Sequence, residues 1–260
     1  MTTRPDVDVI GDRGTPILVL PGGAATSRNF LPGVARELPD NRIVLYDRPG
    51  TGRNVAAGPA TLASGSAAYA EVLRDLAIGP AVVVGQSLGG ALAVQLAADH
   101  PDLIAGLVLI DPTPFNDATV CLLARRMFGV LAAPGRLPLI GDSLDRGVWR
   151  LLTMRSHLAE GEAVRTSQKA LVASASIVTT RRALDTLVTD GAALTARLRP
   201  LGVPCVLITA DRPASHAVRR AHDEMARAIG ARVESWPNAV HAEQLRRPDL
   251  VYEVIREVAG

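Results

Sequence analysis

The sequence has little of several residue types on which common classes of site depend. It contains two cysteines, a single lysine (Lys169) and only 3% aromatic residues, and its net charge is +2. The two cysteines, Cys121 and Cys205, are far apart in the sequence and suggest neither a disulfide framework nor a zinc site. A nearly neutral chain without basic stretches interleaved with aromatics does not favour a nucleic-acid partner. Because so few residues are aromatic, we expect aliphatic side chains to line any small-molecule pocket.

Long apolar runs are also missing. No stretch reaches the roughly 18 uninterrupted apolar residues of a membrane span. Residues 1–14 are polar and acidic and lack the apolar centre of a secretion signal. The 260 residues are 48% hydrophobic and 21% charged, which is typical of a globular enzyme with room for one large domain and an insertion. We expect a cytoplasmic protein without a membrane partner, and its oligomeric state stays open.

Short apolar runs alternate with helical patterns in two parts of the chain. Strands that are apolar throughout, separated by helices, indicate an α/β fold in which a mostly parallel sheet is covered on both faces. The last predicted helix is bent or restarted at Pro248. The predicted strands are 16–20, 42–46, 81–84, 104–110, 203–208 and 232–236, and the predicted helices are 28–38, 61–78, 88–99, 214–229 and 243–258.

The alternation stops between Pro112 and Pro200, where only helical patterns occur. They cover 118–131, 144–157, 162–177 and 180–198. Ligands of parallel sheets bind at the carboxyl ends of the strands, and helices over that edge would enclose a pocket. We therefore predict an α/β core of residues 1–111 and 201–260, with a helical cap of residues 112–200 inserted after the strand that ends at Asp111.

The most informative motif is Gly85-Gln86-Ser87-Leu88-Gly89, between a β-branched run and a helix-forming run. Glycines two residues before and after the serine allow a strand to turn sharply into a helix. The start of that helix supplies unpaired N–H groups and the positive end of its dipole. This is the pattern of a nucleophile elbow, with Ser87 as the candidate nucleophile.

A serine nucleophile requires a general base and donors for an oxyanion. Among five histidines, only His241 falls in a predicted loop at the carboxyl edge of the sheet. The backbone N–H of Leu88 is one candidate oxyanion donor. The second should follow the strand that ends at Leu20. Pro21 has no N–H, so it must come from residues 22–24, and we favour Gly23.

These motifs resemble those of α/β-hydrolase-fold serine hydrolases, and the resemblance covers nearly the whole chain. It is closest to the capped branch that contains esterases, lactonases, carbon–carbon hydrolases and haloperoxidases. The resemblance implies an oxyanion loop, a structural turn, an elbow and a catalytic-histidine loop, and no metal or organic cofactor. The corresponding segments are Leu20-Pro21-Gly22-Gly23, Asp47-Arg48-Pro49-Gly50-Thr51-Gly52, residues 85–89 and Asn238-Ala239-Val240-His241.

The most important departure of the chain from the family pattern concerns the acid. The family's Gly-x-x-Asp reads Ala210-Asp211-Arg212-Pro213 here, so Pro213 stands at the acid position. Two carboxylates could replace it. Asp211 lies in the same loop, and Asp111 ends the strand after the elbow helix. We favour Asp111, because the prolines after it fix the chain direction beside the elbow, and Asp211 stays the alternative.

Together these residues predict a serine hydrolase of a small to medium, moderately apolar ester, thioester or lactone. Ser87 would form an acyl-enzyme, His241 would move the proton, Asp111 would orient His241, and the N–H groups of Gly23 and Leu88 would bind the oxyanion. The alternative is a non-hydrolytic ligand-binding protein, or a lyase or cyclase, that uses the same capped pocket. The expected partner is a small acyl compound in the first case.

Overall fold

A seven-stranded sheet organises the part of the chain that the computed structural model describes. That part comprises residues 6–133 without 24, 29 and 58–60, residues 143, 144 and 147, and residues 160–260 without 175 and 176. The strands are β1 (Val7–Ile10), β2 (Pro16–Leu20), β3 (Arg42–Tyr46), β4 (Ala81–Gln86), β5 (Ile104–Ile110), β6 (Cys205–Ile208) and β7 (Arg232–Glu234).

The strand order is β1-β3-β2-β4-β5-β6-β7. Only the pair of β1 and β3 is antiparallel, and all other neighbours are parallel. The predicted mostly parallel sheet is therefore confirmed. Because β4, β5 and β6 are neighbours and parallel, the residues that follow them meet at one edge of the sheet. Their register aligns Gln86 with Ile110 and Ile110 with Ile208.

Helices cover both faces of the sheet, as predicted. They are α1 (Val34–Glu37), α2 (Leu62–Leu76), α3 (Leu88–Asp99), α4 (Ala118–Leu131), α5 (Glu162–Ser174), α6 (Ile177–Ala183), α7 (Leu187–Thr195), α8 (Ala217–Ile229), α9 (Glu243–Arg246) and α10 (Pro248–Ala259). Short 3-10 helices occupy 52–57 and 101–103. No helix within these described residues is both long and apolar enough to cross a membrane.

Alternate residues of the strands separate the core into two layers. Leu18 and Leu20 of β2 pack with α2 and α3 on one face. Ile17 and Val19 of the same strand pack on the other face with residues of α10 such as Tyr252. Side chains alternate between the faces of a strand, so an apolar residue at every position is what a doubly covered sheet requires.

The structure differs from the predicted elements mainly at their ends. The edge strand β1 was not predicted, because its residues are only partly buried and include Asp8. The predicted helix over 28–38 shrinks to α1, since Gly33 directly before it has a φ of 72°. The single helix predicted over 180–198 is two helices, α6 and α7. Nearly all of the predicted helix 144–157 lies outside the described residues.

Other predictions hold closely. Thr61 caps α2, accepting a hydrogen bond from the backbone N–H of Ser64, and α4 has the predicted bounds. Pro248 stands at the start of α10 and separates it from α9, which is the predicted restart. Helices α4–α7, between β5 and β6, form what we call the β5–β6 helical segment (residues 118–195).

Two glycines bring α3 against the ends of β2 and β4. A Cβ atom on Gly89 would overlap the carbonyl oxygen of Leu20, and one on Gly85 would lie 2.5 Å from the carbonyl oxygen of Gly89. Backbone atoms cannot move aside as a flexible side chain can. Both glycines are therefore required for the close crossing of strand and helix that follows Gln86.

The first prediction compares two helical glycines. Gly89→Ala should lower the free energy of unfolding by about 3 kcal/mol or more, because its methyl group would overlap the backbone of Leu20 and Pro21. Gly129→Ala in α4 is the matched control. Its Cβ would lie 3.4 Å from Arg181 Nε, an ordinary contact, and alanine should stabilise the helix by about 0.5 kcal/mol. Urea unfolding measures both, and equal effects would contradict this account.

Candidate active site

Ser87 lies at the turn between β4 and α3 in a backbone conformation that side chains rarely adopt. Its φ is 52° and its ψ is −120°. The neighbouring strand fixes this turn from both sides. The N–H of Ser87 donates to the carbonyl of Ile110 (3.1 Å), and its own carbonyl accepts from the N–H of Thr113 (2.8 Å). The strain at Ser87 is thus held by hydrogen bonds to the end of β5 and to the loop after it.

His241 and Asp111 form a short hydrogen bond, although 130 residues separate them. His241 Nδ1 lies 2.6 Å from Asp111 Oδ2. An ionised carboxylate can only accept, so Nδ1 carries a proton, and in the neutral imidazole the lone pair is on Nε2. The side chain of Asp111 is 3% exposed, whereas that of His241 is 56% exposed. The imidazole therefore joins a buried charge to an accessible nitrogen.

Asp111 is held by donors from the loop after β6 as well. Its Oδ1 accepts from the N–H of Ala210 (2.9 Å) and from Arg212 Nη1 (2.5 Å), and its Oδ2 accepts from Arg212 Nη2 (2.8 Å). Burial by itself opposes the charge. The hydrogen bonds from Arg212 and His241 outweigh that effect and hold the pKa of Asp111 well below its usual range.

Asp211, the alternative acid of the sequence analysis, holds the histidine loop instead of the imidazole. Its carboxylate accepts from the N–H of Asn238 (2.7 Å), and its own N–H donates to the carbonyl of Ala239 (2.9 Å). Asn238 has a φ of 59°, a left-handed conformation that this contact stabilises. Of the two candidates, only Asp111 hydrogen-bonds to His241.

Two further side chains fix the position of His241. Gln86, directly before Ser87, donates from Nε2 to the carbonyl of His241 (3.1 Å). Glu243 is fully buried, accepts from the N–H of Val240 (2.7 Å) and forms an ion pair with Arg247. The residue beside the serine thus connects the elbow directly to the loop that carries the histidine.

The loop after β2 lies against the elbow, as an oxyanion loop requires. A Cβ atom on Gly22 would come within 2.8 Å of Ser87 Cβ, and Gly23 has a φ of 49°. Both predicted donor residues lie next to the elbow, because Leu88 follows Ser87 at the start of α3 and Gly23 follows Gly22.

The Ser87 hydroxyl makes a long hydrogen bond to Thr113 Oγ1 (3.5 Å), and either oxygen can be the donor. Over the described part of the chain, no hydrogen bond is recorded between Ser87 Oγ and His241. Such contacts are often loose without substrate and tighten when it binds. The structure brings Ser87, His241, Asp111 and the Gly23 loop to one edge of the sheet. Among these described residues, the hydrogen bond between Ser87 and His241 is not formed.

A second histidine lies behind Asp111. His222 of α8 is fully buried, and its Nε2 donates to the carbonyl of Pro112 (2.7 Å) while its Nδ1 accepts from the hydroxyl of Thr209 (2.8 Å). Burial lowers the pKa of His222, against the opposing effect of Asp111 3.8 Å away. Both ring nitrogens are hydrogen-bonded, so His222 ties α8 to the loops after β5 and β6, and its lowered pKa favours the neutral form.

The sequence analysis did not identify four of these contributors: Gln86, Arg212, His222 and Glu243. Each acts by holding a residue that was identified. Gln86 and Arg212 stood within or beside recognised motifs, and that position was the only available signal. For a metal ion, the described residues contain no group of three or more histidine, cysteine, aspartate or glutamate side chains able to hold one.

The parallel sheet, the serine at a strained strand-to-helix turn and the histidine paired with a carboxylate at the same edge are the features of the α/β hydrolases as a class. Comparison with known proteins agrees. The alpha/beta hydrolase family model matches residues 17–254, and the chain belongs to that family.

Individual relatives match shorter segments. Lipase LipV of Mycobacterium tuberculosis is 46% identical over 86 residues, which are 33% of each chain. Esterase Rv0045c of the same species is 57% identical over 49 residues, 19% of this chain and 16% of the esterase. The matched segments thus span a third or less of these curated relatives. The structure of Rv0554 from M. tuberculosis has a TM-score of 0.72 at 21% identity, covering 97% of this chain and 92% of that one, and it shows the fold alone.

The second prediction concerns the stability that Asp111 contributes. Its pKa is lower in the folded state than in the unfolded chain, where it is about 3.9. The stabilisation is therefore present above that value and is lost as the pH falls below it. Asp111→Asn should be less stable than the wild type by about 3 kcal/mol at pH 7, because it leaves Arg212 without its partner.

Urea unfolding at pH 7, 5 and 3 tests this prediction. The difference between wild type and Asp111→Asn should be nearly constant from pH 7 to 5 and should shrink at pH 3. A difference that stays the same at all three values would contradict the depressed pKa of Asp111.

Proposed function

We propose that this chain is a serine hydrolase that cleaves a small to medium, moderately apolar carboxylic ester, or a related thioester or lactone, through an acyl-enzyme. The observation that carries the proposal is the hydrogen bond of 2.6 Å between His241 Nδ1 and Asp111 Oδ2. It leaves Nε2 as the basic nitrogen, on the accessible side of the imidazole. The names of LipV, a lipase, and Rv0045c, an esterase, support ester cleavage.

In the proposed reaction, Ser87 Oγ attacks the carbonyl carbon of the substrate while His241 Nε2 takes the hydroxyl proton. The N–H groups of Gly23 and Leu88 donate to the oxyanion of the tetrahedral intermediate, and each such donor typically contributes about 3 kcal/mol to catalysis. His241 then gives the proton to the leaving alkoxide or thiolate. Asp111 stays ionised throughout and stabilises the imidazolium.

Water completes the cycle by the same route in reverse. His241 takes a proton from the water, the resulting hydroxide attacks the acyl carbon, and the bond to Ser87 Oγ breaks as that oxygen regains a proton. This scheme needs no metal or organic cofactor, because the serine, the imidazole and the backbone donors account for each proton and charge.

We further infer that the β5–β6 helical segment acts as a cap over this site. Thr180 of α6 is buried, and its Oγ1 would lie 2.9 Å from a Cβ atom on Gly23. A helix of the segment therefore lies directly against the proposed oxyanion loop. Helices in that place exclude water from the tetrahedral intermediate and limit the size of the acyl group.

The third prediction tests the nucleophile. Reaction with a fluorophosphonate should add one phosphonyl group to Ser87, detected by mass spectrometry of the intact protein and its peptides. Ser87→Ala should abolish the adduct, whereas Ser215→Ala, an exposed serine before α8, should react as the wild type does. Labelling of Ser87→Ala at the wild-type rate would refute the assignment, and tight ester binding without any adduct would favour the ligand-binding alternative.

The fourth prediction separates the two candidate acids. Asp111→Asn should lower kcat by about 10³- to 10⁴-fold, because His241 loses the partner that fixes its tautomer. Asp211→Asn is the matched control in a neighbouring loop and should change kcat by less than about tenfold. Steady-state hydrolysis of an activated ester measures both, and a larger loss in Asp211→Asn would reverse the assignment.

A further inference from the structure

We propose that Arg212 is a positioning residue, which fixes the carboxylate of Asp111 for His241 and offsets part of the negative charge that the imidazole faces. This inference rests on the proposed hydrolase function. Arg212 follows Asp211 in the loop after β6 and does not itself need to touch the substrate. Two independent observations carry the inference, namely the geometry of the hydrogen bonds to Asp111 and the balance of charge around it.

The geometry accounts for every acceptor site of the carboxylate. Two oxygens offer about four lone pairs. Ala210 N–H and Arg212 Nη1 occupy those of Oδ1, while Arg212 Nη2 and His241 Nδ1 occupy those of Oδ2. Arg212 thus leaves one acceptor position for the imidazole. Because Arg212 donates a hydrogen bond to each oxygen, the carboxylate cannot rotate away from His241.

Only an arginine can make this contact. Its planar guanidinium presents two parallel N–H groups that match the two oxygens, whereas a lysine ammonium is a point charge with no fixed plane. The arginine is also largely buried, with 21% of its side chain exposed. Solvent therefore weakens this ion pair much less than it weakens an exposed one.

The charge balance differs from that of a lone carboxylate beside a histidine. Asp111 and Arg212 together carry no net charge, and Ala210 contributes only an N–H. From α8, His222 faces Asp111 as a neutral group, because burial lowers its pKa. From the loop before α9 only His241 reaches the carboxylate.

Two further charges lie in neighbouring segments. Glu243 of α9 forms an ion pair with Arg247. Asp211 accepts the N–H of Asn238 and is exposed, so solvent screens its charge. The imidazolium of His241 is therefore stabilised by an orientated neutral pair instead of a full negative charge. The Arg212 guanidinium thus offsets part of the attraction between the Asp111 carboxylate and the imidazolium.

Arg212→Met tests the charge, because methionine retains much of the volume without the guanidinium. Each rate is divided by the concentration of active sites, titrated with the fluorophosphonate. The acid limb of the pH profile of kcat/KM should move to higher pH by about one unit, the size of a Coulomb effect between partly exposed groups several ångströms apart. Arg219→Met is the matched control, since Arg219 is similarly exposed but pairs with Asp223 on α8.

Arg212→Lys tests the geometry separately and serves where the methionine variant folds poorly. It keeps the charge but loses the second parallel N–H. The acid limb should stay within about 0.3 pH units of the wild type, while kcat on the plateau should fall about tenfold because Asp111 is less firmly held. The proposal would be overturned if one of the two Arg212 variants kept both the wild-type acid limb and the wild-type plateau kcat per active site.

A second readout distinguishes failure of this inference from failure of the proposed function. The protonation midpoint of the His241 imidazole can be followed by NMR, with its resonance assigned from His241→Gln. A higher midpoint in Arg212→Met than in Arg219→Met supports the inference even if no ester is hydrolysed, a result that would refute only the hydrolase proposal. Hydrolysis by the wild type with equal midpoints in the two variants would refute only the role of Arg212.

Discussion

A buried negative charge at the end of β5 is the constraint on which the site depends. Asp111 is almost fully enclosed, and an unpaired carboxylate there would cost several kcal/mol. Its partners come from two other loops, and the contacts join segments that are about 100 and 130 residues away along the chain. The need to satisfy one carboxylate therefore brings three loops to a common point. His241 is held beside the elbow as part of that arrangement.

Much of the fold could be predicted because it follows from local patterns. Apolar strands such as β4 and β5, and the Gly85–Gly89 turn between strand and helix, are recognisable within a few residues. The antiparallel β1 escaped prediction because an edge strand is only partly buried and Asp8 interrupts its apolar character. The division of 180–198 into two helices was also not evident, because helical periodicity continues across the break that separates α6 from α7.

For the candidate site, the proposed catalytic residues could be named from the sequence, whereas the residues that hold them in place could not. Ser87 and His241 stand in motifs, and the choice of Asp111 over Asp211 agrees with the contact to His241. The contacts of Gln86, Arg212 and His222 depend on side chains reaching between loops distant in sequence. No local pattern encodes such a contact, so only the folded geometry reveals it. Arg212 is the clearest case, since in sequence it appears merely as the residue before a proline.

The contact between Thr180 and Gly23 has a consequence for how this protein can diverge. A helical insertion is usually free to vary, because it lies outside the sheet that sets the fold. Here one of its buried side chains abuts the turn after β2, with no room for a methyl group between them. Any exchange of the inserted helices for those of another protein must therefore keep a similarly small residue at this place. Substitutions at Thr180 in the β5–β6 helical segment and at Gly23 in the turn after β2 are therefore coupled.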